Sequence, residues 1–345
     1  MNKGMNVLGF CAGLLLALAD QADAFGAEDC KITMAPVFEI DLPSRYRDGD
    51  KSRSEIDEEL DAAVDQALEP IDGFVRALAE AANRTGREKG AENAASCIFD
   101  GLADWAFANA LLKPVSLNGR LALSSRIAGM AAAYNRARKV SAPDFRSERA
   151  ILDWFARLAD GQIAFFDNDA PPMAATNNHR AWAGLAATQV GIATGSTSLI
   201  DWGAETNRLM ICSANDDGSL PQEMKRRDKA LHYQLHAVAP IVMTASLLQP
   251  LKSDSFDLCN GKLDAIVSFT VTALDRPEVV AERSGATQTF ATKKEKLRAF
   301  QIAWLEPYLA NRSNKDAEAL AAAYRPLSNS SLGGNLTAIY HQATP

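Results

Sequence analysis

Residues 54–68 read SEIDEELDAAVDQAL, and the spacing within that stretch decides the fold class. Ser54-Glu55-Ile56-Asp57 has the form of a capping box, and Ile56, Leu60, Val64 and Leu68 then recur at every fourth position. On an α-helix that spacing lines up one apolar stripe. Pro70 opens a second predicted helix that runs to Gly86. Striped segments of the same period follow at 91–112, 119–140, 146–159, 176–193, 196–212, 220–248, 258–274, 293–309 and 314–324. Within them only 265–274, AIVSFTVTAL, is β-branched enough to suit a strand on propensity alone. Helix after helix joined by short loops predicts an all-α fold of antiparallel helix pairs in one domain. The chain holds about 60 alanines, which favours close helix packing. Two stretches interrupt the pattern, 36–53 (PVFEIDLPSRYRDGDKSR) and 164–178 (AFFDNDAPPMAATNN), and both read as loops beside a site.

The formal net charge of the 345 residues is −7, so no global positive field recruits nucleic acid. A polyanionic partner would need positive charge gathered locally in a cleft. At the N-terminus, Lys3 precedes an apolar run over 7–19, and Ala22-Asp23-Ala24 gives an A-x-A cleavage pattern before Phe25. Residues 1–24 therefore read as an export signal. The run is short for a transmembrane span and no later stretch resembles one, which predicts a protein with no membrane anchor. Four cysteines follow the signal: Cys30, Cys97, Cys212 and Cys259. An even number in an exported chain suggests disulfides, with three possible connectivities.

The residues able to do chemistry are concentrated. Asn177-Asn178-His179-Arg180-Ala181-Trp182 stands at a predicted helix start, where free backbone amides favour a carboxylate ligand. The plainer alternative is a capped helix whose His179 packs under Trp182. In the second run, LPQEMKRRDKALHY at 220–233, Arg226 and Tyr233 are seven residues apart and would share one helix face. A guanidinium there would lower the Tyr233 pKa and fit it for proton transfer; a solvated basic stripe is the alternative. His232 and His236 have metal-ligand spacing on a helix and would need His179 as a third ligand, yet Tyr233 stands where a zinc protease motif has its Glu.

NNHRAW at 177–182, LPQEMKRRDKALHY at 220–233, WLEPYL at 304–309 and LGGNLT at 332–337 together resemble the alginate lyases of polysaccharide lyase family 5, and SRYRDGDKSR at 44–53 resembles that family's N-terminal lid. The resemblance extends from about residue 30 to residue 340. It implies an incomplete (α/α) toroid around a deep cleft, and a periplasmic enzyme cleaving poly-mannuronate by β-elimination with no metal or other cofactor. It implies Asn178 and His179, assisted by Arg226, as the groups that neutralise the uronate carboxylate. Tyr233 would be the residue that takes the C5 proton, protonates the leaving oxygen, or does both, with His179 sharing the base role. Arg45, Tyr46, Lys51 and Arg53 would clasp the anionic polysaccharide from the lid over about 36–53, and Trp182 would offer a flat face to a sugar. A monomer from residue 25 to 345 is expected. The resemblance also suggests a Cys30–Cys97 disulfide, with Cys212–Cys259 as the remaining option. The chain departs from the family's pattern at Arg45, Gln234, His236, Ser331 and Asn335, positions expected along the cleft. Those departures open the substrate range to related polyuronates such as a glucuronate polymer. Two readings of other classes stand beside the lyase: a polyuronate-binding protein without catalysis, and a metal-dependent hydrolase using the three histidines.

Overall fold

The computed structural model describes Met1 and residues 32–87 and 89–341. The predicted signal after Met1, and Cys30 with its expected bond to Cys97, lie outside the described residues. Among the described residues eight long helices form the body: α1 (Glu58–Arg84), α2 (Ala91–Phe107), α3 (Leu117–Ala137), α4 (Phe145–Ala164), α5 (Asn178–Thr194), α6 (Thr197–Cys212), then, after the one-turn α7 (Pro221–Met224), α8 (Ala230–Leu248) and α9 (Leu258–Asp275). Shorter helices follow at α10 (Glu278–Ser284), α11 (Leu305–Leu309), α12 (Lys315–Tyr324) and α13 (Leu336–Tyr340). Helices α1, α3, α5 and α8 touch one another in that order as an inner layer; α2, α4, α6 and α9 pack outside them. This is an incomplete (α/α) toroid. One apolar core runs through it from Ile40 to Leu336.

Small residues let the two layers approach. A Cβ on Gly184 of α5 would meet the Thr206 side chain at 2.7 Å, and one on Gly203 of α6 would meet Thr188 Oγ1 at 2.1 Å. Any larger residue at either position would force α5 and α6 apart. The gap in the ring is filled by the C-terminal segment. Its hairpin pairs β3 (Ser328–Asn329) with β4 (Gly334–Asn335), and the turn between them rests on α1 and α3.

The WLEPYL and LGGNLT motifs serve this closure. Trp304 and Tyr308 are core residues, and the buried Glu306 accepts two hydrogen bonds from Arg325 and one from Thr337. Gly334 has φ +102° and presses on Asn83, whose Oδ1 accepts from the Asn335 backbone.

Several boundaries differ from the sequence reading, each for a local reason. Asp57, not Ser54, caps α1: its side chain accepts from the backbone N–H of Glu59 and Leu60. Pro70 lies inside α1 and does not start a new helix. The expected helix over 220–248 is broken: α7 ends at Met224, Arg227 has φ +51°, and α8 begins at Ala230. Most of 293–309 is irregular, with a 3₁₀ turn at Ala299–Ile302 and only α11 helical. Residues 265–274 are helical despite their β-branched composition, because α9 packs them on α6 and α8.

The 36–53 segment is an ordered strap. Its start, β1 (Glu39–Ile40), pairs in parallel with β2 (Lys113–Pro114). Further on, Arg47 N donates to Glu55 O and Asp57 N to Arg45 O, so residues 45–57 form a hairpin. Asp50 holds its turn by accepting from the backbone N–H groups of Ser52, Ser54 and Glu55 at 2.9, 2.7 and 2.8 Å. Burial would raise the Asp50 carboxyl, but the Ser52 hydroxyl and these backbone bonds outweigh it and hold it at about 2.

Candidate active site

The inner faces of the inner helices enclose a cavity of about 590 Å³. Its lining residues follow helical spacing: Asp61, Val64, Leu68 and Asp72 on α1; Asn118, Leu121, Ala122, Ser125 and Arg126 on α3; His179 and Trp182 on α5; His232, Tyr233 and His236 on α8. Arg45, Tyr46 and Arg53 of the strap cover one side, and Phe300, Ser330 and Ser331 stand at the other.

At the start of α5 the side chain of Asn177 accepts from His179 N at 3.0 Å and caps the helix. Asn178, the first helical residue, also lines the cavity and is fully buried. Its backbone N–H donates to Glu223 Oε1 at 2.7 Å, and its Nδ2 lies 3.2 and 3.1 Å from the two Glu223 oxygens. The amides expected to receive a ligand carboxylate thus already hold the carboxyl of Glu223, from α7. His179, half-buried, is pushed down to about 4 by burial and by the nearby Arg226 charge, against a hydrogen bond to the Leu121 backbone. Its imidazole is neutral at pH 7.

Arg226 and Tyr233 do meet, but not by sharing a helix face. The tight turn at 227–229 folds Arg226 back so that its Cζ lies 3.5 Å from the Tyr233 ring centroid. The guanidinium spends its hydrogen bonds on the strap: Nε and Nη2 donate to the Arg53 carbonyl at 3.1 and 2.6 Å, and Nη2 to the Tyr46 hydroxyl at 2.8 Å. Tyr46 in turn hydrogen-bonds the hydroxyl of Tyr233. The expected lowering of the Tyr233 pKa is overturned. Burial, then the Tyr46 neighbour, push it well above its usual value, and the opposing Arg226 charge does not compensate.

The remaining expected residues are placed as follows. Arg45 lines the cavity, yet its guanidinium pairs with Asp61 at 2.5 Å and Asp65 at 2.6 Å on α1, latching the strap down. Arg53 lines the cavity, while Lys51 is exposed and is not among the lining residues. Trp182 is only 4% exposed, so it forms wall and not an open platform, and its Nε1 donates to His236 Nε2 at 3.1 Å. All three central histidines line the cavity. His232 Nδ1 is bound to Glu295 Oε1 at 2.6 Å, and burial, then His232 and His179, push His236 down to about 3. Among the described residues no cluster of three or more His, Cys, Asp or Glu is arranged to hold a metal ion. Of the departures from the family's pattern, Arg45, His236 and Ser331 line the cavity. Gln234 instead is core, bonded to the Leu220 backbone N–H and the Gly218 carbonyl, and Asn335 caps α13.

Sequence reasoning missed four residues. Glu223 lies inside the 220–233 run but carries no distinguishing spacing. Asp72 and Arg126 form a two-pronged ion pair in the cavity wall, at 2.8 Å each, across 54 residues of sequence. Glu295, which holds His232, comes from an irregular segment with no periodic signal.

A fold of helix pairs closing over a cavity with amide, imidazole and phenol groups fits a polysaccharide lyase. Residues 18–280 match the alginate lyase family model, and the chain belongs to that family. It is 29% identical over 324 residues to an alginate lyase of Azotobacter vinelandii, covering 92% of this chain and 85% of that protein. It is 27% identical over 321 residues to an alginate lyase of Cobetia marina, covering 91% and 84%. Among solved structures, a histidine-to-alanine variant of alginate lyase A1-III in complex with a tetrasaccharide superposes with a TM-score of 0.76 at 22% identity, over 92% of this chain and 88% of that one. The structure of alginate lyase A1-III from Sphingomonas species A1 superposes with a TM-score of 0.70 at 22% identity, covering 91% and 88%. No helix among the described residues is long and apolar enough to cross a membrane. Cys212 and Cys259 form a disulfide, the second of the two expected pairs.

Proposed function

We propose that this protein is an exported, monomeric lyase, one domain from residue 25 to 345, that cleaves mannuronate-rich alginate by β-elimination. The observation that carries the reading is the convergence of Asn178, His179 and Tyr233 on one cavity, with Arg226 against the Tyr233 ring. Elimination needs a masked carboxylate, a base for the C5 proton and an acid for the leaving oxygen. Asn178 donates to the substrate carboxylate, so charge built up as C5–H breaks spreads into it. His179, neutral because burial and Arg226 hold it near 4, accepts that proton. Tyr233 keeps its own proton because burial holds its pKa high. Arg226 donates to the Tyr46 oxygen, Tyr46 donates to the Tyr233 oxygen, and Tyr233 is left to give its hydrogen to the glycosidic oxygen. The product is an oligosaccharide with an unsaturated uronate at its new non-reducing end. Export to the periplasm is supported by the signal-like N-terminus and by the Cys212–Cys259 disulfide, which forms in an oxidising compartment.

The test is incubation of the purified protein with poly-mannuronate, poly-guluronate and poly-glucuronate, following ultraviolet absorbance of the conjugated uronate. The expected order has poly-mannuronate first. Absence of absorbing product from all three sinks the lyase reading, and full turnover by Tyr233→Phe removes Tyr233 from the chemistry.

A further inference from the structure

Among the described residues the Glu223 carboxyl forms no ion pair, and its hydrogen bonds come from Asn178. It is fully buried, and Arg226, three residues on, turns its guanidinium to the Arg53 carbonyl and to Tyr46. Among the described residues, the titratable groups that bear on Glu223 are Arg226 on its own turn and Tyr233 on α8. From α5 it receives only the backbone N–H and amide of Asn178. On α10, Val280 joins the apolar cluster around Met224 while Arg283 pairs with Asp217.

The contact with Asn178 has two possible senses. An ionised carboxyl only accepts hydrogen bonds. It must then face the Asn178 NH2 group, which leaves Oδ1 pointing the other way, buried and without a partner. Asn178 lines the cavity, so a substrate carboxylate brought against that acceptor would meet it oxygen to oxygen, and the pair would repel. A neutral carboxyl can donate. Its O–H then binds Oδ1, the amide turns over in the same space, and NH2 takes the place that Oδ1 held. The Asn178 backbone N–H still binds the other Glu223 oxygen in both senses.

We propose that Glu223 is a positioning residue that works as a neutral carboxylic acid, fixing Asn178 with its NH2 group toward the substrate carboxylate. This rests on the role given to Asn178 above. Burial supports it by raising the Glu223 carboxyl to about 7, against the Asn178 bonds and the Arg226 charge.

The test compares wild type, Glu223→Gln and Glu223→Ala on poly-mannuronate across pH, with kcat and KM separated. Wild-type kcat/KM should fall about tenfold per pH unit above roughly pH 7 as the free enzyme ionises. Glu223→Gln, whose amide donates permanently, should stay within about threefold of wild type at pH 6 and lose that alkaline fall. Glu223→Ala should lose on the order of 100-fold, mainly in kcat, since the amide is no longer aimed. A wild-type profile flat through this range overturns the proposal, and so does a folded Glu223→Gln that is crippled at pH 6 or keeps the fall. Infrared difference spectra of wild type against Glu223→Gln at pH 6 decide the protonation without any substrate. A protonated-carboxyl band present in wild type and absent in the variant supports the proposal; no such band overturns it. Failure of wild type to act on any polyuronate would strike the lyase reading, while the infrared result would still decide Glu223.

Discussion

Tyr46→Phe tests whether the strap takes part in the chemistry or merely covers it. The substitution deletes one oxygen and little else. That oxygen accepts from Arg226 Nη2 at 2.8 Å and bonds the Tyr233 hydroxyl. A hydrogen bond to a charged group is worth about 1.5–3 kcal/mol and a neutral one about 1 kcal/mol. Their sum is about 2.5–4 kcal/mol. The loss should fall at the lower end, because Arg226 keeps both bonds to the Arg53 carbonyl and stays in place. At 1.36 kcal/mol per decade, about 2.5 kcal/mol predicts a drop in kcat/KM of roughly 70-fold. Most of it should appear in kcat, since in the proposed mechanism the Tyr46 hydroxyl orders the proton that Tyr233 gives away. Initial rates on poly-mannuronate by ultraviolet absorbance give both constants, and a melting curve checks that the fold is unchanged. A variant within about threefold of wild type in kcat/KM would refute the relay from Arg226 through Tyr46 to Tyr233.

Asp50→Ala should cost activity, because Asp50 organises the strap hairpin through three backbone N–H groups. A roughly tenfold or larger rise in KM is expected, with a melting curve to check that the variant is folded, and an unchanged KM would count against an ordered strap. At Glu295, burial would raise the carboxyl, but the His232 hydrogen bond and the charges of His232 and Lys229 outweigh it and bring it from 4.5 to about 2. A carboxyl depressed in the folded state stabilises the fold above its unfolded pKa. That contribution should therefore fade as pH drops from about 4.5 toward 2, and Glu295→Gln should melt with less pH dependence in that window. Equal pH slopes for wild type and variant would contradict it. The Cys212–Cys259 bond closes a loop of 47 residues, which corresponds to about 4 kcal/mol of unfolded-state entropy. Cys259→Ser should melt several degrees lower, and an equal midpoint would show that the bond constrains little.

The sequence carried the fold better than the site, and the difference has a physical basis. Helical period is a local property, so stripes such as Leu60, Val64 and Leu68 announce their helix whatever they pack against. One spacing argument that failed at the site shows the limit. Arg226 and Tyr233 are seven residues apart, and a continuous helix would have set them on one face; α7 and α8 are separate helices with a left-handed residue, Arg227, between them. The two side chains meet because the turn folds back, a result that the count of residues alone could not distinguish from the helical one. The sign of the Tyr233 shift failed for a related reason. A neighbouring guanidinium was legible, but the burial that outweighs it, and the Tyr46 hydroxyl brought from 187 residues away, belong to the closed toroid. The same holds for Glu223. Its place in a run of charged residues suggests solvent, and only the packing of α7 against the start of α5 turns it into a buried acid facing an amide. The chemistry proposed here therefore depends less on which polar residues the chain contains than on how far the fold withdraws them from water. Burial lowers His179, raises Tyr233 and raises Glu223; on the proposed mechanism that gives a base and an acid on one cavity, with a neutral prop behind Asn178 below about pH 7.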